Sequence, residues 1–221
     1  MTNFGIGAPG LATGMPLSYC AAMSSTAKRL PEQMTTAEFL RWEGDGTDAK
    51  YELVDGELVA MSPATATHGT IQANVALLLG MHLRESPCRV ITEAAIVPRV
   101  VAETNTRVPD LAVTCGPDIP GEIGLTDPVV VIEILSAGNK SKTWSNVWAY
   151  ASIPSVREIL ILSSWSIEAR LLRRGADGSW PERAETVSAD GNITLPSLDM
   201  TFLLRDAYAK TFLVAQNERR S

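Results

Sequence analysis

The spacing of apolar residues changes several times along the chain, and each change predicts an element. Val129-Val130-Val131-Ile132-Glu133-Ile134-Leu135 is apolar and mostly β-branched, with one carboxylate in its interior. A run of that kind reads as a strand buried on both faces. Val108 to Cys115 reads as a second strand, Arg89 to Val101 as a strand or strand pair, and Glu158–Leu162 and Ile167–Leu172 as further strands. After Pro63 the period becomes helical: Ile71, Val75, Leu78, Leu79 and His82 form one inward stripe, with His68 on it at the helix start. Lys140 to Ala151 reads as a second amphipathic helix with Trp144, Val147, Trp148 and Ala151 inward. Thr35 followed by Glu38 predicts a capped short helix. Asp55-Gly56 predicts a hairpin through a type I′ turn. Asp177-Gly178 marks a further turn, and Leu198 to Phe212 a strand followed by a short helix. Helices interleaved with strands in this order predict an α/β (α+β) domain, a central mixed β-sheet flanked by helices.

Composition narrows the setting. The chain has 221 residues, of which 45% are apolar, enough for one domain. Residues 1–33, rich in Gly, Ser, Thr, Ala and Met, read as a flexible lead, and 34–215 as the folded domain. A net charge of −6 argues against strong non-specific nucleic-acid binding, though not against a local basic groove. Cys20, Cys88 and Cys115 lack metal-ligand spacing and are odd in number. They read as reduced thiols of a cytoplasmic protein, with Cys88 and Cys115 packing as small apolar groups. No apolar run approaches the roughly 18 residues of a membrane span. No basic n-region precedes an apolar stretch, so no signal peptide is expected. The glycine-rich phosphate loop, the GxSxG elbow and HExxH do not occur, which removes several enzyme classes.

The chemistry concentrates in the carboxylates. An ionised Glu133 inside a buried strand is costly unless its charge is compensated. Asp110, after Arg107-Val108-Pro109, supplies a second carboxylate at the head of the preceding strand. Two such groups on neighbouring strands repel unless they share a proton or a cation. A divalent metal would compensate both; a core arginine such as Arg107 would compensate Glu133 alone.

Five segments, in order, resemble the putative restriction-endonuclease family of bacterial proteins, within the PD-(D/E)xK phosphodiesterase superfamily. They are Tyr51 to Glu57, Met61-Ser62-Pro63 with His68, Arg107 to Val113, Val131 to Ser136, and Tyr150 with Ile153 to Glu158. The resemblance spans about 35 to about 210. It implies a restriction-endonuclease-like core and a Mg²⁺-dependent (or Mn²⁺-dependent) cut of DNA. Asp110 and Glu133 would hold the metal, Glu52 would complete the shell or act as a base, and His68 would face the site. The class also implies a homodimer acting on a duplex. The superfamily lysine falls two positions after the glutamate, at Leu135, and the family's alternative lysine falls four before Tyr150, at Asn146. Lys142, one turn earlier on the same helical face, is a candidate replacement cation. Two readings stay open: an endonuclease using Lys142, or a nuclease fold that binds nucleic acid or protein without cutting. A third is a subunit whose partner supplies the cation. Glu52 has an ordinary reading as a hairpin ion pair, His68 as a satisfied helix-start histidine, and Lys142 as a surface lysine. Arg170, Arg173 and Arg174 read as strand-end surface arginines.

Overall fold

A computed structural model describes residues 30–136 and 140–219. Most of the expected lead, with Cys20 in it, lies outside the described residues. The elements are α1 (Thr36–Phe39), β1 (Tyr51–Val54), β2 (Glu57–Ala60), α2 (Ala66–His82), β3 (Arg89–Thr92), β4 (Leu111–Thr114), β5 (Pro128–Leu135) and α3 (Lys140–Ala151). There follow β6 (Glu158–Ser163), β7 (Glu168–Arg173), β8 (Glu185–Ser188), β9 (Asn192–Leu195), β10 (Met200–Leu203), α4 (Leu204–Ala207) and α5 (Phe212–Glu218). Six strands form the central sheet in the order β3-β4-β5-β6-β7-β8. Only β5 and β6 are parallel, joined through α3; the other neighbours are antiparallel, so the sheet is mixed. Two small hairpins, β1–β2 and β9–β10, stand beside it.

β5 explains the two-sided core. Its Val130, Ile132 and Ile134 face a cluster with Ile71, Val75 and Leu79 of α2. Val131 and Leu135 face a second cluster with Val147 and Tyr150 of α3. Glu133 shares the parity of Val131 and Leu135, so it points toward α3. The helix starts follow their caps: Thr35 and Glu38 form a reciprocal capping box, and Thr65 accepts from the His68 amide at 3.2 Å. In the first hairpin Asp55 and Gly56 have φ of 51° and 86°, the positive pair a type I′ turn requires.

Several expectations are corrected. Arg89 to Val101 keeps only its first four residues as strand; beyond Thr92 the chain turns through Glu93 in the left-handed region. Trp148, expected inward, is 57% exposed, because the stripe of α3 that meets the sheet is centred on Thr143, Val147 and Tyr150. His82 is exposed too, its Nε2 lying 2.8 Å from the Leu198 carbonyl. Strands β8 and β9 had no separate signal in the sequence. Cys88 and Cys115 form a disulfide rather than packing as separate thiols. The β3–β4 register pairs Arg89 with Thr114, so the next residues outward, Cys88 and Cys115, face each other. With that pair oxidised, reduced thiols no longer support a cytoplasmic setting. Among the described residues no helix is long and apolar enough to cross a membrane.

Candidate active site

The β4–β5 register pairs Leu111 with Ile132. Extended by one residue, it sets Asp110 opposite Glu133, and both line a cleft of about 630 Å³. Glu52, His68 and Lys142 line the same cleft, so all five sequence-predicted site residues converge there, and Asn146 lines it as well.

Each carboxylate is held by its own donors. Asp110 accepts from the Ile134 amide at 2.6 Å through Oδ2, and its Oδ1 lies 3.2 Å from His68 Nε2. Gln72 of α2 donates to the Asp110 carbonyl at 2.9 Å, which fixes the backbone there. Glu133 accepts from the phenol of Tyr150 at 2.7 Å. Glu52, 1% exposed, accepts through Oε1 from the Val108 amide and from Asn146 Nδ2, each at 3.1 Å. Its other oxygen lies 2.8 Å from Lys142 Nζ. The ordinary readings of Glu52 and Lys142 therefore give way: the glutamate pairs with α3 rather than across its own hairpin, and the lysine turns into the cleft. Arg107 is no partner of Glu133; its guanidinium donates to the Leu53 carbonyl.

Electrostatics follow from this packing. Burial first, and the charge of Asp110 second, raise the Glu133 carboxyl well above the usual range, against the hydrogen bond from Tyr150. Burial opposes protonation of His68, but the hydrogen bond and charge of Asp110 more than offset it, and the imidazole titrates above its ordinary value. The Tyr150 phenol is pushed well up by burial and then by Glu133, so it stays a donor. Lys142 of α3 faces these acids and is already paired with Glu52.

A family model described as Uma2, a putative restriction endonuclease, matches residues 36–203. The chain belongs to this family. An uncharacterised protein of Synechocystis sp. is 28% identical over 178 residues, covering 80% of this chain and 92% of that one. A second from the same organism is 22% identical over 152 residues, covering 66% and 84%. Among solved structures, a putative nuclease belonging to DUF820 from Anabaena variabilis superposes with a TM-score of 0.65. At 18% identity, over 80% of this chain and 98% of that one, that likeness carries the fold.

Sequence reasoning gave no site role to Lys50 or Glu93 of this Uma2-family cleft, nor to Tyr150, which supports Glu133 from the core behind it. Tyr150 had a detectable signal, since Lys142, Asn146 and Tyr150 recur every four residues and share one face of α3. Lys50 and Glu93, which line the cleft, had none, because the fold alone brings the start of β1 beside the end of β3. The three arginines divide: Arg173 donates to the Thr194 carbonyl, Arg174 to the carbonyls of Ala151, Ile153 and Val156, and Arg170 lies over the Trp144 ring.

Proposed function

We propose that the protein is a Mg²⁺- or Mn²⁺-dependent endonuclease that hydrolyses phosphodiester bonds in DNA. One observation carries this reading: Asp110 and Glu133 face each other across β4 and β5 in a cleft that also holds the Lys142 ammonium. The donor set suits a hard cation, being carboxylate oxygens of which one belongs to a buried acid that, among the described residues, has no cationic partner of its own. Among the described residues no group of three or more His, Cys, Asp or Glu is placed to hold a metal ion by side chains alone. Magnesium takes one or two carboxylates and keeps its waters for phosphate oxygens, and Asp110 with Glu133 would supply such a pair. When bound, such an ion polarises a phosphoryl oxygen and lowers the pKa of a coordinated water.

The chain's own residues supply the rest. Tyr150 donates to one oxygen of Glu133 and so orients a carboxyl that lines the cleft. His68 and the Ile134 amide orient Asp110. Lys142, anchored by Glu52, offers a positive charge where negative charge develops on phosphorus. A homodimer would present two such clefts to the two strands of a duplex; a monomer mass in light scattering at micromolar concentration would remove that part of the proposal.

Asn146 supports a second reading, a nuclease fold that binds without cutting, since an amide now donates to Glu52 where the family carries an ammonium. Plasmid DNA incubated with Mg²⁺ or Mn²⁺ separates the two. Cleavage by the parent, abolished by Asp110→Asn and Glu133→Gln and sharply reduced by Lys142→Ala, is the expected result. An inert parent alongside an active Asn146→Lys variant means a binding module instead. Inactivity of both with either metal sinks the phosphodiesterase reading.

A further inference from the structure

The cleft has a second lysine. Lys50 lies at its rim, and its ammonium pairs with Glu93 from the end of β3. The Met61 amide donates to the Lys50 carbonyl at 2.8 Å, which continues the β1–β2 ladder back to Lys50. Residues two apart on a strand share a side, so Lys50 projects the same way as Glu52, about 7 Å further out. Glu93 is fixed from the opposite direction. Its φ of 51° turns the chain out of β3, and its amide donates to the Asp110 carbonyl at 3.2 Å. The rim pair is therefore attached on one side to the strand of Glu52 and on the other to the backbone of Asp110.

The two lysines differ in freedom. Lys142 is bound to a carboxylate that is 1% exposed, and parting them would strand a buried charge. Side chains of Lys50 and Glu93 are 60% and 38% exposed, and exposed ion pairs contribute little to stability. Lys50 can exchange partners at small cost; Lys142 cannot.

We infer that Lys50 is a phosphate-contacting residue of the DNA path, held over the cleft by Glu93 and transferred to a backbone phosphate when a strand enters. The inference rests on the endonuclease reading and assigns its substrate contact. An acidic protein gains most from such a device, because Glu93 neutralises Lys50 until a stronger anion displaces it.

Fluorescence anisotropy with a labelled DNA duplex tests it, in the Glu133→Gln background to prevent cutting, across a salt series with and without Mg²⁺. Lys50→Gln is expected to weaken binding and to reduce the slope of log K against log[salt] by about 0.9, one phosphate contact, with Lys50→Arg restoring it. Glu93→Gln is expected to tighten binding severalfold at low salt, and to lose that gain when combined with Lys50→Gln. An unchanged slope in Lys50→Gln overturns the inference, as does an equal gain from Glu93→Gln with and without Lys50, which would reflect only the removed negative charge. Absence of DNA binding by the background protein at every salt concentration removes the endonuclease reading itself, and this inference with it.

Discussion

Glu133 is 8% exposed, accepts from Tyr150 and faces Asp110, so its ionisation is tied to the stability of the fold. An unfolded glutamate titrates near about 4.3. In the fold, burial and then the Asp110 charge keep the proton on to higher pH. Between those two values the native state binds the extra proton. The contribution of Glu133 is thus fully present below about pH 4.3 and is lost as pH rises through its folded pKa. Urea unfolding in EDTA, compared between parent and Glu133→Gln across pH, isolates this effect from the other acids. Glutamine keeps an oxygen for the Tyr150 hydroxyl but does not titrate. The variant is expected to gain on the parent steadily as pH rises toward neutrality. A difference between the two that stays constant with pH would mean that Glu133 is compensated in a way these contacts do not account for. Tyr150→Phe acts in the other direction: it leaves a buried carboxylate oxygen without its donor and is expected to lower stability by roughly 1–3 kcal/mol in the same measurement.

α3 carries Lys142, Asn146 and Tyr150 on one face, so the cleft is only as ordered as this helix. Its C-terminal end is tied down from just past β7: Arg174 donates to the Ala151 and Ile153 carbonyls at 2.8 Å and to the Val156 carbonyl at 2.9 Å. These carbonyls include ones that a helix end cannot satisfy internally. Arg174→Ala is expected to cost roughly 2 kcal/mol in urea unfolding. Arg174→Lys is expected to recover only part, since one ammonium cannot reproduce the fork of a guanidinium. Full stability in Arg174→Ala would show that the end of α3 needs no such anchor. At this scale the sequence was informative wherever one period dominated. The α2 stripe from His68 to Leu79, the buried β5 run and the Asp55-Gly56 turn each have a local cause, and each forms as expected, whereas His82 falls off the buried end of the stripe. Trp148 was misread because a tryptophan adds weight to a stripe without fixing its centre; the sheet that α3 meets fixes it. β8 and β9 are four residues each, too short for alternation to stand out.

Across the whole molecule, the Cys88–Cys115 disulfide joins the outer end of β3 to β4 and spans 27 positions in sequence. Closing a loop of that order contributes about 2–4 kcal/mol. Reduction, or the Cys88→Ser/Cys115→Ser double variant, is expected to lower the urea midpoint accordingly. Mass spectrometry after alkylation of the native protein should leave both cysteines unlabelled until a reductant is added, and labelling of both beforehand would remove the bond from the description. Cysteine spacing could not reveal this pair, since the contact exists only once β3 and β4 are in register.

The sequence by itself determined the kinds of element and the chemistry available. A β-branched run with one internal carboxylate, a Pro-Asp before a strand and a four-residue spacing on a helix are local patterns, and local sterics and side-chain period suffice to interpret them. Tertiary structure decided which groups meet. Glu52 takes its charge partner from α3, 90 residues away, rather than from its own hairpin. Lys142 faces the cleft where a surface lysine was the ordinary reading of its sequence context. Lys50 and Glu93 become neighbours only because the β1–β2 hairpin packs beside the end of β3. Pairings across such distances depend on strand register and helix rotation, and these are set by burying apolar surface on both faces of β5, not by any residue near the charges themselves.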